Sequence, residues 1–164
     1  ARPVVADREG RSIGAEHTVD RDLDRLEAAR AWLLRLCERV GERARAEAQP
    51  GRTVTVKLRL PPFETHTRQA ALPQPTTDTA TIYAQAEVLL TRFWQEQKRP
   101  RIRLIGVSLS GFGTAELVVQ PDLFAAVDSV PAPPATQRDA LVDAINARFG
   151  RRTLTRAATL KTRE

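Results

Sequence analysis

The stretch TVTVKLRL, residues 53–60, alternates strictly between polar and apolar residues. Side chains on a β-strand point to opposite faces in turn, so this alternation predicts a strand with one buried face and one bare face. The apolar set is Val54, Val56, Leu58 and Leu60, while the polar set holds two threonines and two cations. The apolar face needs a cover, and what lies on the bare face decides the function.

Periodic segments on both sides of residues 53–60 complete the pattern. In chain order they are a strand, a helix, a strand, a helix and a strand, at residues 11–19, 20–47, 65–72, 77–98 and 101–109. Asp20 or Asp22 is expected to cap the first helix, Thr77 or Asp78 to open the second, and Gly106 to reset the alternation of the last strand through a bulge. The order predicts an α+β fold of the split β-α-β-β-α-β type, a four-stranded antiparallel sheet with both helices on one face.

The chain divides by composition into a central domain and its flanks. The parts are a connector, the domain, a proline-containing linker, and a short amphipathic helix with a basic tail, at residues 1–10, 11–112, 113–135 and 136–164. Thr136 and Asp139 resemble a capping box at the start of the last helix. Because the chain has no Met and starts at Ala1, we expect it to be a piece of a longer protein.

Composition excludes several classes of protein. Apolar residues make up 41% of the 164 positions and charged residues 28%, which is enough for a packed core. The single cysteine, Cys37, excludes an internal disulfide and a cysteine-based zinc site, and it lies on the apolar stripe of the first helix. No apolar run approaches the ~20 residues of a membrane span.

Positive charge is concentrated on the predicted strands. Lys and Arg outnumber Asp and Glu by 26 to 20. Residues 16–47 are nearly neutral, whereas residues 51–72 carry four cations against Glu64 alone and residues 98–103 carry four cations and no acid. Cations and hydroxyls on a bare sheet face suit contacts to a phosphate backbone, and a solvated face kept soluble by its charge is the open alternative. No aromatic residue interleaves the cations on the predicted basic sheet face, which disfavours stacking of single-stranded bases.

An ordered set of short pieces carries a resemblance to a known family. The pieces are RSIGAE at 11–16, then the first helix, TVTVKLR at 53–59, Thr67-Arg68, Leu72-Pro73 and RLIGVS at 103–108. Together they resemble the little-finger domain of Y-family translesion DNA polymerases, of the bacterial DNA polymerase IV type. The resemblance covers about residues 8–112 and all four predicted strands.

The resemblance implies binding of primer–template duplex DNA through its backbone, with base choice left to a polymerase core in the same parent chain. It implies a set of contact residues that act through backbone N–H groups or side chains: Ser12, Ile13, Gly14, Lys57, Arg59, Thr67, Arg68, Arg101, Arg103 and Ser108. The family's catalytic carboxylates and their Mg²⁺ belong to that core. We therefore expect no catalytic residue, metal or cofactor in this chain. We expect a cytoplasmic, nucleoid-associated location without membrane contact.

A second resemblance lies in the linker. The segment QPDLF at 120–124 is similar to the sliding-clamp-binding peptide of bacterial polymerases, with Pro121 where Leu is usual. It implies that Gln120 orients the peptide while Leu123 and Phe124 enter a preformed apolar pocket of the clamp. Residues 144–151 look like the C-terminal element of the polymerase V type, where a helix with one apolar side either folds back or docks a partner.

Two other functions stay open. The chain fits a catalytically inactive member of the same family that acts as an adaptor between clamp and DNA. It also fits a ferredoxin-like RNA-binding or scaffold domain, although an RNA binder of that shape usually carries aromatic residues on its sheet.

Overall fold

Four strands and two long helices follow one another in the predicted order. The structure is a computed structural model that describes residues 11–113, 135–151 and 153–159. Its elements are β1 (Ser12–Leu23), α1 (Leu26–Ala46), β2 (Gly51–Leu60), β3 (Glu64–Thr76), α2 (Thr79–Glu96), β4 (Ile102–Ser110), α3 (Ala135–Phe149) and a short 3-10 turn (Ala157–Thr159). The strands form an antiparallel sheet in the order β1-β4-β2-β3. The predicted α+β class and element order are confirmed.

The apolar face of β2 lies at the centre of the core. Val54, Val56 and Leu58 have no exposed surface, and burial of each such side chain contributes about 1.5–3 kcal/mol. The register pairs them with buried apolar residues of β4, in the order Leu109, Val107 and Ile105. Both long helices pack on this side, and within residues 11–113, 135–151 and 153–159 no helix covers the opposite face of the sheet.

The helix faces hold the residues that the sequence assigns to packing. Cys37 is fully buried, and burial raises the pKa of its thiol, so it is a core residue rather than a nucleophile. Trp32 stacks on His17 of β1 with ring centroids 4.1 Å apart, and Trp94 packs against the core. Across the described residues, none of the helices combines the length and apolar character that crossing a bilayer requires.

The alternation of β4 differs from the sequence-based prediction. Odd-numbered residues from Ile105 to Leu109 join the core cluster, whereas Leu104 is buried outside that cluster. Gly106 keeps a regular register with both neighbouring strands, so the prediction of a bulge at this glycine is wrong. The irregularity lies instead in β1, where the register with β4 shifts after Thr18.

The same irregularity moves the start of the first helix. β1 runs on to Leu23, and α1 begins only at Leu26, after an N-cap at Arg25 that lacks a side-chain hydrogen bond. The prediction that Asp20 or Asp22 caps this helix is therefore wrong, because both residues belong to the strand. The second helix does begin as predicted, since the Asp78 carboxylate accepts a hydrogen bond from the backbone of Thr81 at 2.8 Å.

A buried ionic cluster fastens the C-terminal segment to the domain. Asp139 of α3 is only 4% exposed and accepts hydrogen bonds from Arg45 at 3.2 Å, from Arg156 at 2.9 Å and from the backbone N–H of Thr79 at 2.9 Å. Arg45 also donates two bonds to Asp143, at 2.6 and 3.1 Å. Asp139 thus serves the start of α2. The capping-box prediction is wrong because α3 already begins at Ala135, so Thr136 lies inside the helix and is not its N-cap.

Charged side chains make the ion pairs of this fold-back, and the apolar residues Val142 and Ile145 of α3 are half-buried. The side chains of Leu141 and Phe149, from the predicted apolar side of α3, are more than half exposed. Arg156 instead bridges Asp139 to Glu38 of α1, with a distance of 3.0 Å to the Glu38 carboxylate. Burial raises the pKa of Glu38, and the hydrogen bond from Arg156 opposes that rise. The segment is held by groups that must stay charged to hold it.

We expect Asp139→Asn to release residues 135–159 from the domain, because the substitution leaves Arg45 and Arg156 without their shared carboxylate. The free energy of unfolding should fall by about 1–3 kcal/mol, as is common when a buried hydrogen-bonded charge loses its partner. Urea denaturation and limited proteolysis measure the two effects. Arg138→Ala, an exposed change on the same helix, is the control. If Asp139→Asn has the same stability and the same cleavage pattern as the parent chain, Asp139 does not fasten the C-terminal segment to the domain.

Candidate nucleic-acid interface

The sheet face turned away from the helices is polar, cationic and open. Alternation and register place on it small, hydroxyl-bearing and charged residues: Gly14, Glu16, Thr18, Thr53, Thr55, Lys57, Arg59, Thr67, Gln69, Gly106 and Ser108. We call this set the bare face. The predicted contacts Lys57, Arg59, Thr67 and Ser108 all belong to it.

Two glycines allow the middle of the bare face to form a depression. A Cβ atom on Gly106 would lie 3.0 Å from that of Glu16, and one on Gly14 would lie 3.3 Å from that of Ser108. Because the two glycines have no Cβ atoms, no side chain rises from the sheet surface at these positions of β1 and β4. The result is a shallow depression of about 320 Å³ bordered by Thr55 and Lys57 as well. A ridge of a ligand's backbone fits such a surface better than a flat aromatic ring does.

The cations at the centre of the bare face differ in their partners. Lys57 Nζ lies 3.1 Å from Oε2 of Glu16 on β1. Arg59 donates from Nε to the hydroxyl of Thr65 at 3.0 Å. An exposed ion pair in water contributes ~0–1 kcal/mol, so a phosphate can replace Glu16 at low cost. The partner of Arg59 in this hydrogen bond is a neutral hydroxyl, so the contact does not neutralise the positive charge of Arg59.

A second pair of predicted contacts meets an acid that the sequence assigns to a helix cap. Asp22 forms an ion pair with Arg103 and lies 3.5 Å from Arg101. The hydrogen bond from Arg103, together with the positive charge of both arginines, holds the pKa of the Asp22 carboxyl below its usual range, although desolvation opposes the shift. The same hydrogen bond raises the pKa of Arg103. Asp22 therefore positions these two cations at the end of the sheet where β1 leaves its regular register.

Arg68 lies on the other side of the sheet. It is opposite Val56 in the register, and its guanidinium carbon is 5.6 Å from the ring centre of Phe93 on α2. Its Nη2 atom pairs with Glu96 at 3.1 Å. The sequence-based placement of Arg68 on the cationic face is therefore wrong. The hairpin register explains the error, because Thr67 pairs with Lys57 and its neighbour must point the other way.

The backbone of β1 borders the free edge of the sheet. The Gly14 carbonyl accepts a hydrogen bond from Arg43 of α1 at 2.9 Å, so this residue faces outward. In an antiparallel strand the N–H and C=O of one residue point to the same side, and adjacent residues point to opposite sides. The N–H groups of Gly14 and Ser12 thus border the edge, whereas that of Ile13 faces β4. The geometry does not support Ile13 as a donor, and its side chain is buried in the core.

Two parts of the surface were missed by sequence reasoning. The sequence gives no sign that Glu16 is a partner of Lys57, yet it reaches Lys57 across β4. Phe63, in the turn between β2 and β3, is 84% exposed beside Arg59 and Arg103. The signal for Phe63 was an aromatic residue that follows two prolines between two predicted strands.

The clamp-binding prediction falls outside the described part of the chain. Gln120, Leu123 and Phe124 belong to residues 114–134, so their roles stay predictions. Within the described ranges, no cluster of three or more His, Cys, Asp or Glu residues has the arrangement of a metal site.

A family model covers most of this chain. Residues 10–123 match the model described as the impB/mucB/samB family C-terminal domain. A DNA polymerase IV from Desulfatibacillum aliphaticivorans is 38% identical over 161 residues, which is 96% of this chain and 39% of that protein. A DNA polymerase IV from Caulobacter vibrioides is 34% identical over 163 residues, which is 99% of this chain and 38% of that protein. The chain thus spans about two fifths of the length of these curated relatives.

Solved structures share the fold. One, described as a complex of the β-clamp processivity factor and the little finger domain of PolIV, has a TM-score of 0.52 and 21% identity, and the match covers 63% of this chain and 90% of that one. An insertion ternary complex of Dbh DNA polymerase has the same TM-score with 19% identity, over 62% of this chain and 28% of that one. At this identity the likeness establishes the shared architecture of sheet and helices.

We expect the stabilisation from Asp22 to depend on pH. Its folded-state pKa lies below the unfolded value of about 3.9, so its contribution is complete above that pH and is lost as the pH falls through the folded value. Asp22→Asn should be less stable than the parent chain near neutral pH, and the gap should narrow below about pH 4. Urea unfolding across a pH series measures this gap. A gap that stays constant down to pH 3 would contradict the ion-pair assignment.

Proposed function

Because this chain belongs to the impB/mucB/samB family C-terminal domain and is a little-finger domain of the Y-family DNA polymerase IV type, we propose that its bare face binds the backbone of primer–template duplex DNA. The binding is independent of sequence. It holds the duplex for a polymerase core that other parts of the parent chain supply. The names of the relatives support a DNA-directed DNA polymerase as the parent. The proposal also places the catalytic carboxylates and their Mg²⁺ in that core, and the parent protein at the bacterial nucleoid.

The carrying observation is the chemistry of the bare face. Cations, hydroxyls and edge N–H groups are the donors that proteins offer to phosphate oxygens. Such contacts fix the register of a duplex and carry no base information. The glycine-floored depression lets a sugar–phosphate ridge approach the backbone of β1 and β4. No aromatic ring stands in the middle of the described bare face, which favours a duplex over an RNA single strand.

Acids beside the cations moderate the proposed grip. Glu16 holds Lys57, and Asp22 holds Arg101 and Arg103, so DNA must displace or share these partners. A polymerase domain that travels along a duplex benefits from contacts that exchange easily. The acids thereby keep affinity low without removing the positive potential that attracts the duplex.

A second proposed partner is the sliding clamp. The similarity of residues 120–124 to a clamp-binding peptide supports it, as does the solved complex of a clamp with a related little finger domain. Leu123 and Phe124 are the proposed anchors and Gln120 the orienting residue. An anchor pair of this kind supplies most of the energy of a peptide–pocket interface.

We expect Lys57→Ala and Arg59→Ala each to weaken binding of a fluorescent 20-base-pair duplex. Each loss of a phosphate contact should also reduce the slope of log affinity against log salt by about 1. Glu16→Gln should strengthen binding at low salt, because it removes a negative charge from the face and frees Lys57. Fluorescence anisotropy across a salt series measures all four proteins.

Arg68→Ala is the matched control for these variants. It removes the same charge as Arg59→Ala from a neighbouring strand, but from the side that packs on α2. It should leave affinity and salt slope close to those of the parent chain, with folding checked by circular dichroism. Equal losses for Arg59→Ala and Arg68→Ala, or a parent chain whose affinity ignores salt, would refute the assignment of binding to the bare face.

The clamp proposal predicts that Leu123→Ala combined with Phe124→Ala abolishes capture of the purified clamp in a pull-down. The reason is the loss of both apolar anchors from the pocket. Val127→Ala, three residues beyond the peptide, serves as the control and should retain capture. Full capture by the double variant would remove this segment as the binding site.

A further inference from the structure

The tip of the β2–β3 hairpin carries an exposed aromatic side chain at the end of the bare face. No large hydrophobic side chain in the described part of the chain is more exposed than Phe63, at 84%. Pro61 and Pro62 precede it in the turn. A single exposed apolar residue is common on protein surfaces, so the neighbours of Phe63 decide whether it has a role.

Those neighbours form a second depression with a mixed lining. It has a volume of about 330 Å³ and is lined by Thr18, Arg59, Pro61, Pro62, Phe63, Arg103 and Leu104. Leu104 is 5% exposed and lies outside the main core cluster. It lies at the floor of this depression, on the side of the sheet away from the helices, and Pro61 and Pro62 add the exposed aliphatic groups. The corner therefore combines an aromatic ring, aliphatic surface and two guanidinium groups.

This combination suits a ligand with a flat apolar face and a negative charge. Base–aromatic stacking is tolerant of sequence because every base has a π-face, and arginines beside the ring attract the phosphate. Arg59 carries the charge for this purpose, since its hydrogen-bond partner Thr65 is neutral. Arg103 is held at the rim by Asp22. A protein partner could also pack on the ring and the prolines, but it would lack the phosphate that the two arginines attract.

We propose that this corner, defined by Arg59, Pro62, Phe63, Arg103 and Leu104, is a binding site for one unpaired nucleotide of the template strand. The base stacks on Phe63 and its phosphate is held by Arg59. The site rests on the proposed function, because it is continuous with the bare face through Arg59 and Thr18. It extends that face from a duplex grip to a sensor of the place where the duplex gives way to a single strand.

The test compares two DNA molecules with the same duplex, one blunt and one with a 5′ template overhang of four nucleotides. The overhang carries 2-aminopurine at its first unpaired position, and stacking on a ring changes the fluorescence of this base. The parent 164-residue chain should bind the overhang molecule more tightly. Phe63→Ala should bind the overhang molecule roughly tenfold more weakly than the parent chain does, which is the scale expected for removal of one stacked base. Its affinity for the blunt duplex should be unchanged, so the preference for the overhang is lost.

Matched variants separate stacking from other roles of the hairpin. Phe63→Trp should keep the preference and the fluorescence change, whereas Phe63→Leu, which is apolar without a π-system, should lose both. Val88→Ala, an exposed change on α2, should behave like the parent chain. Because Phe63 is mostly exposed, these variants are expected to fold normally, and circular dichroism verifies this.

The outcomes distinguish this inference from the proposed function. A parent chain that binds neither DNA refutes the duplex grip and the nucleotide site together. A parent chain that binds both molecules equally, or a Phe63→Ala variant that keeps the preference, overturns the nucleotide site and leaves the duplex grip intact. Full retention by Phe63→Leu overturns stacking. Loss of contact with the clamp or polymerase core upon Phe63→Ala, with DNA preference unchanged, assigns the corner to a protein partner and likewise overturns it.

Discussion

Burial of one side of β2 is the constraint on which the rest of the molecule depends. Val54, Val56 and Leu58 are fully enclosed by α1, α2 and the apolar residues of β4. Strand geometry then forces Thr55, Lys57 and their neighbours to the opposite side. With both long helices on one side of the sheet, nothing in the described fold covers the other. The polar surface available for a ligand is thus a direct consequence of how the core is built.

Ion pairs organise the surface at two places with different consequences. Near the C-terminus the Arg45–Asp139–Arg156 cluster is largely enclosed, and its loss would leave charges without partners in a poorly hydrated site. On the bare face the Lys57–Glu16 pair is exposed to water and its exchange for a phosphate is inexpensive. The first arrangement fastens a segment, while the second, under the proposed function, would tune how strongly a polyanion is held. Burial, rather than the kind of residue, makes the difference.

The bare face and the hairpin tip form one continuous surface. Its middle offers small side chains, hydroxyls and cations, which suit a sugar–phosphate backbone. Its end offers Phe63 with arginines beside it, which suits a base that has left its partner. The proposed duplex grip and the proposed nucleotide site would adjoin at a primer end, where duplex gives way to unpaired template. Membership of this family agrees with such a surface. The proposed binding of an unpaired template nucleotide is argued from the geometry of the Phe63 corner.

Local periodicity was sufficient to predict the elements, their order and the buried side of β2, because each depends on residues close together in the chain. It also placed Lys57 and Arg59 on one face, whereas Thr67 was named only through the family resemblance. It could not place Arg68, whose side is set by the hairpin register, or assign Asp22, whose partner Arg103 lies 81 residues away. It likewise missed that Asp139 binds Thr79 and Arg45 instead of its own helix. Alternation is a property of consecutive residues, whereas the partner of a charge is chosen by which distant strands and helices meet, and only the tertiary structure decides that.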